Sequence, residues 1–154
     1  MKIFLASDHR GFELKEKIKE WLKEWGYEYE DMGAFEFDKD DDYPDFISKA
    51  ADKVSQDPDN SRAIIMGGSG QGEAMVANRY KNVRAAVYYG GSEEVVKLSR
   101  EHNNANVLSL GLAIGSTFEE SKPMDEEVAK RAVKLWLETP FSEAERHKRR
   151  LAKF

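Results

Sequence analysis

The chain opens with a short apolar run, Lys2 to Ala6, and then repeats apolar residues at Phe12, Leu14, Ile18, Trp21, Leu22 and Trp25, close to helical spacing. That order predicts strand, turn and helix, with Gly26 ending the helix as a C-cap. Tyr27 to Met32 alternates aromatic and acidic positions, as a second strand should. The acidic run from Asp38 to Asp45 reads as loop, and Phe46 to Val54 returns to helical spacing. After a polar break over 56–61, Ala63 to Met66 is a third apolar run. It leads into Gly67-Gly68-Ser69-Gly70-Gln71-Gly72-Glu73 and then a helical stretch from Ala74 to Tyr80. Arg84 to Tyr89 predicts a fourth strand, and Ser92 is placed to cap a helix running to Glu101. Val107 to Leu112 predicts a fifth strand, and Asp125 to Leu137 a last helix that Pro140 stops.

Strands that are apolar throughout and alternate with helices imply a parallel sheet covered on both faces. The expectation is therefore a single α/β domain over residues 1–154, a Rossmann-like three-layer sandwich around a mainly parallel five-stranded sheet. At 154 residues folding buries roughly 70% of the unfolded chain's surface, enough to need no covalent staple. Sheets of this kind bind ligands beyond the carboxyl ends of their strands. The informative turns are thus 7–11, 67–73, 89–92 and 111–116.

Composition narrows the choices. With no cysteine there are neither disulfides nor thiolate metal sites. A net charge of −5 argues against nucleic acid as a partner, because phosphate backbones are held by clustered cations. The longest apolar runs fall far short of the ~20 residues a membrane span needs, so no membrane partner is expected. The Met1 to Asp8 stretch lacks the pattern of a signal peptide, which makes a cytoplasmic location the expectation. One charge asymmetry stands out: Arg146, Lys148, Arg149, Arg150 and Lys153 follow one another without an acid between them, a composition suited to a small anion.

The glycine-rich turn after the third strand lets backbone approach a ligand closely and offers amides to anionic oxygen. It matches neither nucleotide motif: Gly68, Gly70 and Gly72 are each two apart, and Glu73-Ala74 stands where a phosphate loop has Lys and then Ser or Thr. The lesser alternative is that the turn is only a tight strand-to-helix connection. Glu73 suits either a first-turn stabiliser or a base. Desolvation would raise its pKa while the helix dipole opposes. His9, His102 and His147 are the three histidines; each alone is a surface residue or a proton carrier, and none has the spacing of a metal site. Arg146 and Arg150, four apart, would share one helix face and grip a phosphate, or merely form a solvated basic tail. The acidic loop 38–45 reads as solvated surface.

Taken together, Ser7-Asp8-His9-Arg10-Gly11-Phe12-Glu13-Leu14-Lys15, Asp42-Tyr43-Pro44-Asp45, the 67–73 turn followed by Ala77-Asn78, His102-Asn103-Asn104-Ala105-Asn106 and Arg146-His147-x-x-Arg150 resemble the type B ribose-5-phosphate isomerase family, which includes galactose-6-phosphate isomerases. The resemblance implies a sugar-phosphate aldose–ketose isomerase without metal or cofactor, acting in carbohydrate metabolism such as the pentose phosphate pathway. It also implies a homodimer or homotetramer with sites at the subunit interface, toward which the tail at about 138–154 extends. One family branch uses a cysteine as base, at the position of Gly67; the other uses a glutamate, matching Glu73. The implied catalytic residues are Glu73, His102 as ring opener, Asp8 and Ser69. The implied substrate-binding residues are His9, Arg10, Gly70, Gln71, Gly72, Asn103, Arg146 and Arg150.

This chain departs from the family pattern in three places. Ala113 stands where many members have an arginine, Arg10 replaces a small residue, and the 115–125 segment is longer than usual, with Phe118 and Lys122 as candidate covers for the site. Arg10 is a candidate replacement for the missing cation. Ribose 5-phosphate and ribulose 5-phosphate are the expected pair. The alternatives are a tetrose or hexose phosphate such as allose or galactose 6-phosphate, or a non-catalytic sugar-phosphate or nucleotide sensor.

Overall fold

A computed structural model describes residues 1–114 and 122–154. Five strands, β1 (Lys2–Ser7), β2 (Glu28–Asp31), β3 (Ser61–Gly67), β4 (Ala85–Tyr88) and β5 (Val107–Gly111), form one sheet in the order β2-β1-β3-β5-β4. Every pairing in it is parallel. Helices α1 (Phe12–Glu24), α4 (Glu94–Glu101) and α5 (Glu126–Glu138) cover one face. The opposite face is covered by α2 (Pro44–Gln56) and α3 (Gln71–Ala77). The expected three-layer α/β architecture is the observed one.

Two apolar cores follow from the strand alternation. Ile3 and Leu5 of β1 and Ile64 and Met66 of β3 point toward Ile18, Trp21, Leu22, Val133 and Trp136. Phe4, Ala6, Ala63 and Ile65 point the other way, toward Ile47, Ala50, Ala51 and Val54 of α2. Helix α1 ends as the glycine foretold: Gly26 has φ 78°, its amide reaches the Lys23 carbonyl, and the Tyr27 amide reaches Leu22 at 2.9 Å. These two bonds make a Schellman cap.

Some boundaries differ from the hydropathy pattern, each for a local reason. Helix α2 starts at Pro44 rather than Phe46, because proline fits a first helical turn, where no amide partner is required. Helix α3 starts at Gln71 rather than Ala74, because Gly70 takes φ 73° and turns the chain into the helix at once. Gly70 also sits so close to β5 that a Cβ on it would lie 2.9 Å from the Gly111 amide nitrogen. Ser92 accepts the Glu94 amide, although the cap position itself falls on Glu93. Hydropathy gave no sign of the two-residue strands β6 (Ala113–Ile114) and β7 (Lys122–Pro123), which pair antiparallel. Phe118 and most of the long segment around it lie outside the described residues. The basic tail forms α6 (Glu145–Leu151) and folds back on its own chain, with the Ser142 amide bonded to the Glu101 carbonyl. Among the described residues no helix is long and apolar enough to cross a membrane.

The helix after β1 goes to one face and the helix after β3 to the other, although the two strands are neighbours. Their carboxyl ends therefore part into a crevice, the usual ligand position in such sheets. The turns at 7–11 and 67–73 flank it.

Candidate active site

Glu73 is buried, at 4% exposure, although it belongs to the first turn of α3. Its carboxylate is folded back along the loop, so that a Cβ on Gly67 would lie 1.8 Å from Oε1. Only glycine at 67 leaves room for that carboxylate, which is the physical reason a side chain at 67 and this position of Glu73 exclude one another. Burial is the largest influence on Glu73 and pushes its pKa above the usual carboxylate range; Asp8 nearby pushes the same way, while the Gly70 and Glu73 amides oppose. Desolvation thus outweighs the helix start. Oε2 is buried without a hydrogen-bond partner among the described residues, an arrangement that costs stability and suits a group awaiting a ligand.

Replacing Gly67 with alanine should displace the flexible Glu73 carboxylate rather than the backbone. The expected result is a melting temperature within a few degrees of the parent and, on the reading proposed below with Glu73 as the base, a kcat lowered at least about tenfold. Thermal scans and initial rates on one preparation check it.

Asp8 is also buried, and Oδ1 accepts the amides of Arg10 at 2.9 Å and Gly11 at 3.2 Å. Burial raises its pKa, against the lowering influence of those amides and of His9. Next to it, the His9 ring gives Nδ1 to Asp41 Oδ1 at 2.6 Å, and its backbone amide donates to the same oxygen at 3.1 Å. Loop 38–45 is mostly exposed, as expected of solvated surface, and the reading is corrected at one position: the Asp41 side chain is 7% exposed. Asp41 joins the Asp8–His9 cluster, which composition alone hid, because a run of aspartates gives no sign of which one turns inward. Tyr43 was also unassigned and lies against the loop, its hydroxyl 2.7 Å from where a Cβ on Gly72 would sit. Lys15, fully buried, donates to Asp31 at 2.6 Å and to the Ala34 carbonyl, fixing the chain that leads into this loop.

Ser69 accepts the Gln71 amide on its hydroxyl at 3.2 Å and is exposed at the rim with Gln71. The side chain of Arg10 runs beside the loop, its Cγ 3.9 Å from where a Cβ on Gly68 would lie. Asp8, His9, Arg10, Ser69, Gly70, Gln71, Gly72 and Glu73 are accordingly gathered at the carboxyl ends of β1 and β3.

The remaining expected residues lie elsewhere. His102 caps α4 and, with Asn103, precedes β5, so both sit at the amino end of the sheet. Register pairs Ala63 with Val107 and Gly67 with Gly111, which separates the two ends by roughly 13 Å at ~3.3 Å per residue. His102 stacks near His147, ring centres 4.3 Å apart, and His147 accepts from Arg146 Nε at 3.0 Å and bonds Ser142 at 2.8 Å. Burial, His102 and the cations Arg146 and Arg150 lower the His147 pKa. The chain thus carries an acidic cluster at one end of the sheet and a cationic cluster at the other. The Ala113 side chain is outside what the structure describes.

Asp8, His9 and Asp41 are the one described group whose side-chain atoms, all within 4.8 Å of one another, could hold a metal. The 2.6 Å between Nδ1 and Oδ1 is a hydrogen bond, shorter than the ~3.3 Å that two ligands of a tetrahedral zinc keep.

A desolvated carboxylate beside an aspartate, in the switch-point crevice of a Rossmann-like sheet, defines a proton-transferring α/β enzyme for a small polar substrate. The chain belongs to the ribose/galactose isomerase family, whose model matches residues 3–154. It is 41% identical over 151 residues to the ribose-5-phosphate isomerase B of Mycolicibacterium paratuberculosis, covering 98% of this chain and 87% of that one. The crystal structure of ribose-5-phosphate isomerase B from Mycoplasma genitalium with bound ribulose-5-phosphate superposes with a TM-score of 0.87 at 39% identity, covering 99% of this chain and 92% of that one. The Clostridium thermocellum ribose-5-phosphate isomerase B gives 0.85 at 37% identity, covering 99% and 94%.

Proposed function

We infer that this chain interconverts ribose 5-phosphate and ribulose 5-phosphate, with Glu73 as the base. The observation that carries the reading is the Glu73 carboxylate, buried in the glycine loop with its proton affinity raised by desolvation. A base that must take a proton from carbon and give it back works best when its pKa is nearer the working pH. Glu73 takes the C2 proton of the open-chain aldose and the electron pair left behind forms the C1–C2 double bond of a cis-enediolate. Glu73 then returns a proton to C1 as the C2 oxygen becomes the ketone carbonyl. Between the two steps the hydroxyl proton passes from O2 to O1, for which Asp8 is the nearby carrier. Ser69 and the loop amides supply donors to the oxyanion.

His102 opens the sugar ring with Asn103 beside it, and Arg146 and Arg150 clamp the phosphate with His9. Within one chain His102, Asn103, Arg146 and Arg150 stand at the far end of the sheet from Glu73, whereas His9 stands beside it. A second copy, related by a twofold axis, brings its cationic end to the first copy's acidic end and so completes two equivalent sites. The active form is therefore a homodimer, or a dimer of such dimers, in which the 138–154 tail serves the neighbouring subunit.

Isomerase assays against four-, five- and six-carbon aldose phosphates test the substrate. The highest kcat/KM is expected for ribose 5-phosphate, with Arg10→Ala raising KM for it. A higher kcat/KM for a tetrose or hexose phosphate would reject the pentose assignment. The relatives named for ribose 5-phosphate favour this pair over a larger sugar, and the buried Glu73 carboxylate with Oε2 unpartnered among the described residues favours an enzyme over a sensor, which gains nothing from a desolvated base.

A further inference from the structure

The hydrogen bonds of the Asp41 side chain go to His9, and its carboxylate also lies within 4.8 Å of that of Asp8. Oδ1 takes both the ring Nδ1–H and the backbone N–H of that residue, Oδ2 is buried without a partner, and the loop that delivers the side chain is tied down on both sides. Upstream, the Asp41 amide donates to the Asp38 carbonyl, and Asp38 Oδ1 accepts the Asp40 amide. Downstream, Tyr43 lies on Gly72 and Pro44 begins α2. Phe37 meets the His9 ring edge-on at 6.2 Å.

We propose that Asp41 is a positioning residue for the isomerisation, which fixes the His9 ring in the Nδ1-protonated form and leaves Nε2 as the ring atom that meets the substrate. This rests on the reading of the site given above, in which His9 contacts the phosphate end of the sugar, Nε2 donating to a phosphate oxygen through the second proton of an imidazolium paired with Asp41. A carboxylate accepts hydrogen bonds and cannot donate them, so its hold on Nδ1 places the proton there. Two bonds to one oxygen, from the ring and from the same residue's backbone, define both the rotamer and the plane of the imidazole. A ring held this way meets the substrate without having to be ordered first, so the gain appears in binding.

The test is a double-substitution cycle on the full-length protein with Asp41→Asn, His9→Asn and the pair, each measured for kcat, KM and melting temperature. Asp41→Asn keeps the shape and removes the charge. It is expected to raise KM for ribose 5-phosphate about tenfold with kcat within about twofold, the usual scale for a charge-assisted hydrogen bond. In the His9→Asn background the same change is expected to have no further effect. An equal loss in both backgrounds, or no loss in either, overturns the proposal, because Asp41 then does not act through His9. Ring-nitrogen NMR of the parent protein, with only three histidines to assign, gives a reading that depends on neither folding of a variant nor activity. A His9 carrying a proton on Nδ1, whether or not Nε2 carries one as well, supports the proposal, and one protonated at Nε2 alone overturns it. Should the parent protein isomerise no sugar phosphate, the functional reading falls while the ring spectrum still decides the role of Asp41.

Discussion

Replacing Glu73 with glutamine should lower kcat for isomerisation by about 10²–10⁴-fold, the contribution of a positioned general base, with a much smaller change in KM. Glutamine keeps the volume that fills the space beside Gly67 but cannot accept a proton from carbon. The same substitution should make the protein more stable near neutral pH. Burial raises the folded-state pKa of Glu73, so above the unfolded pKa the folded chain holds the proton more tightly than the unfolded chain does. Stability is then lost as pH rises from the unfolded value through the folded one, and is fully retained below it. A glutamine has no such penalty. The expected melting-temperature gain is a few degrees at neutral pH, at ~2–4 °C per kcal/mol for this size, shrinking toward zero at about pH 4. Thermal scans of both proteins across that range check the sign: a loss of stability at neutral pH would mean that Glu73 is a structural anchor.

Mixing two inactive proteins should restore activity. Glu73→Gln disables the acidic half-site and His102→Asn the cationic one. In a mixed dimer one site collects both defects and the other neither. Random exchange makes half the dimers mixed, and half their sites are intact, so activity should recover to about one quarter of the parent level. The check is to dissociate and reassemble the two variants together and assay against each alone. Recovery no greater than the sum of the two alone would place both half-sites in one chain's pocket and contradict the shared site.

Much of this was legible in the chain. Lys2 to Ala6, Ala63 to Met66 and Val107 to Leu112 announce the central strands because a strand buried on both faces leaves no polar positions. The 67–73 turn points to the crevice because glycines after a buried strand let backbone approach a ligand closely, although the same glycines would also serve a tight connection. Its glutamate was ambiguous, since the opposing influences of helix start and burial are settled by where the side chain lies, which spacing does not encode. Asp41 was invisible for a related reason. Four of the five residues from 38 to 42 are aspartates, and one of them becomes part of the site only because Lys15 and Tyr43 fix the loop's ends. Arg146 and Arg150 were recognisable as a pair, yet their distance from Glu73 follows from packing and strand direction: α6 lies against His102, which precedes β5, whereas Glu73 follows β3.

The most direct test is hydrogen exchange at carbon. The protein is incubated with ribose 5-phosphate in deuterated water, and the sugar is read by NMR. Ribulose 5-phosphate carrying deuterium at C1, together with recovered aldose labelled at C2, both abolished in Glu73→Gln, is the expected result. Ketose formation that survives unchanged in Glu73→Gln, or a parent protein that binds the sugar and leaves C2 unlabelled, would contradict it.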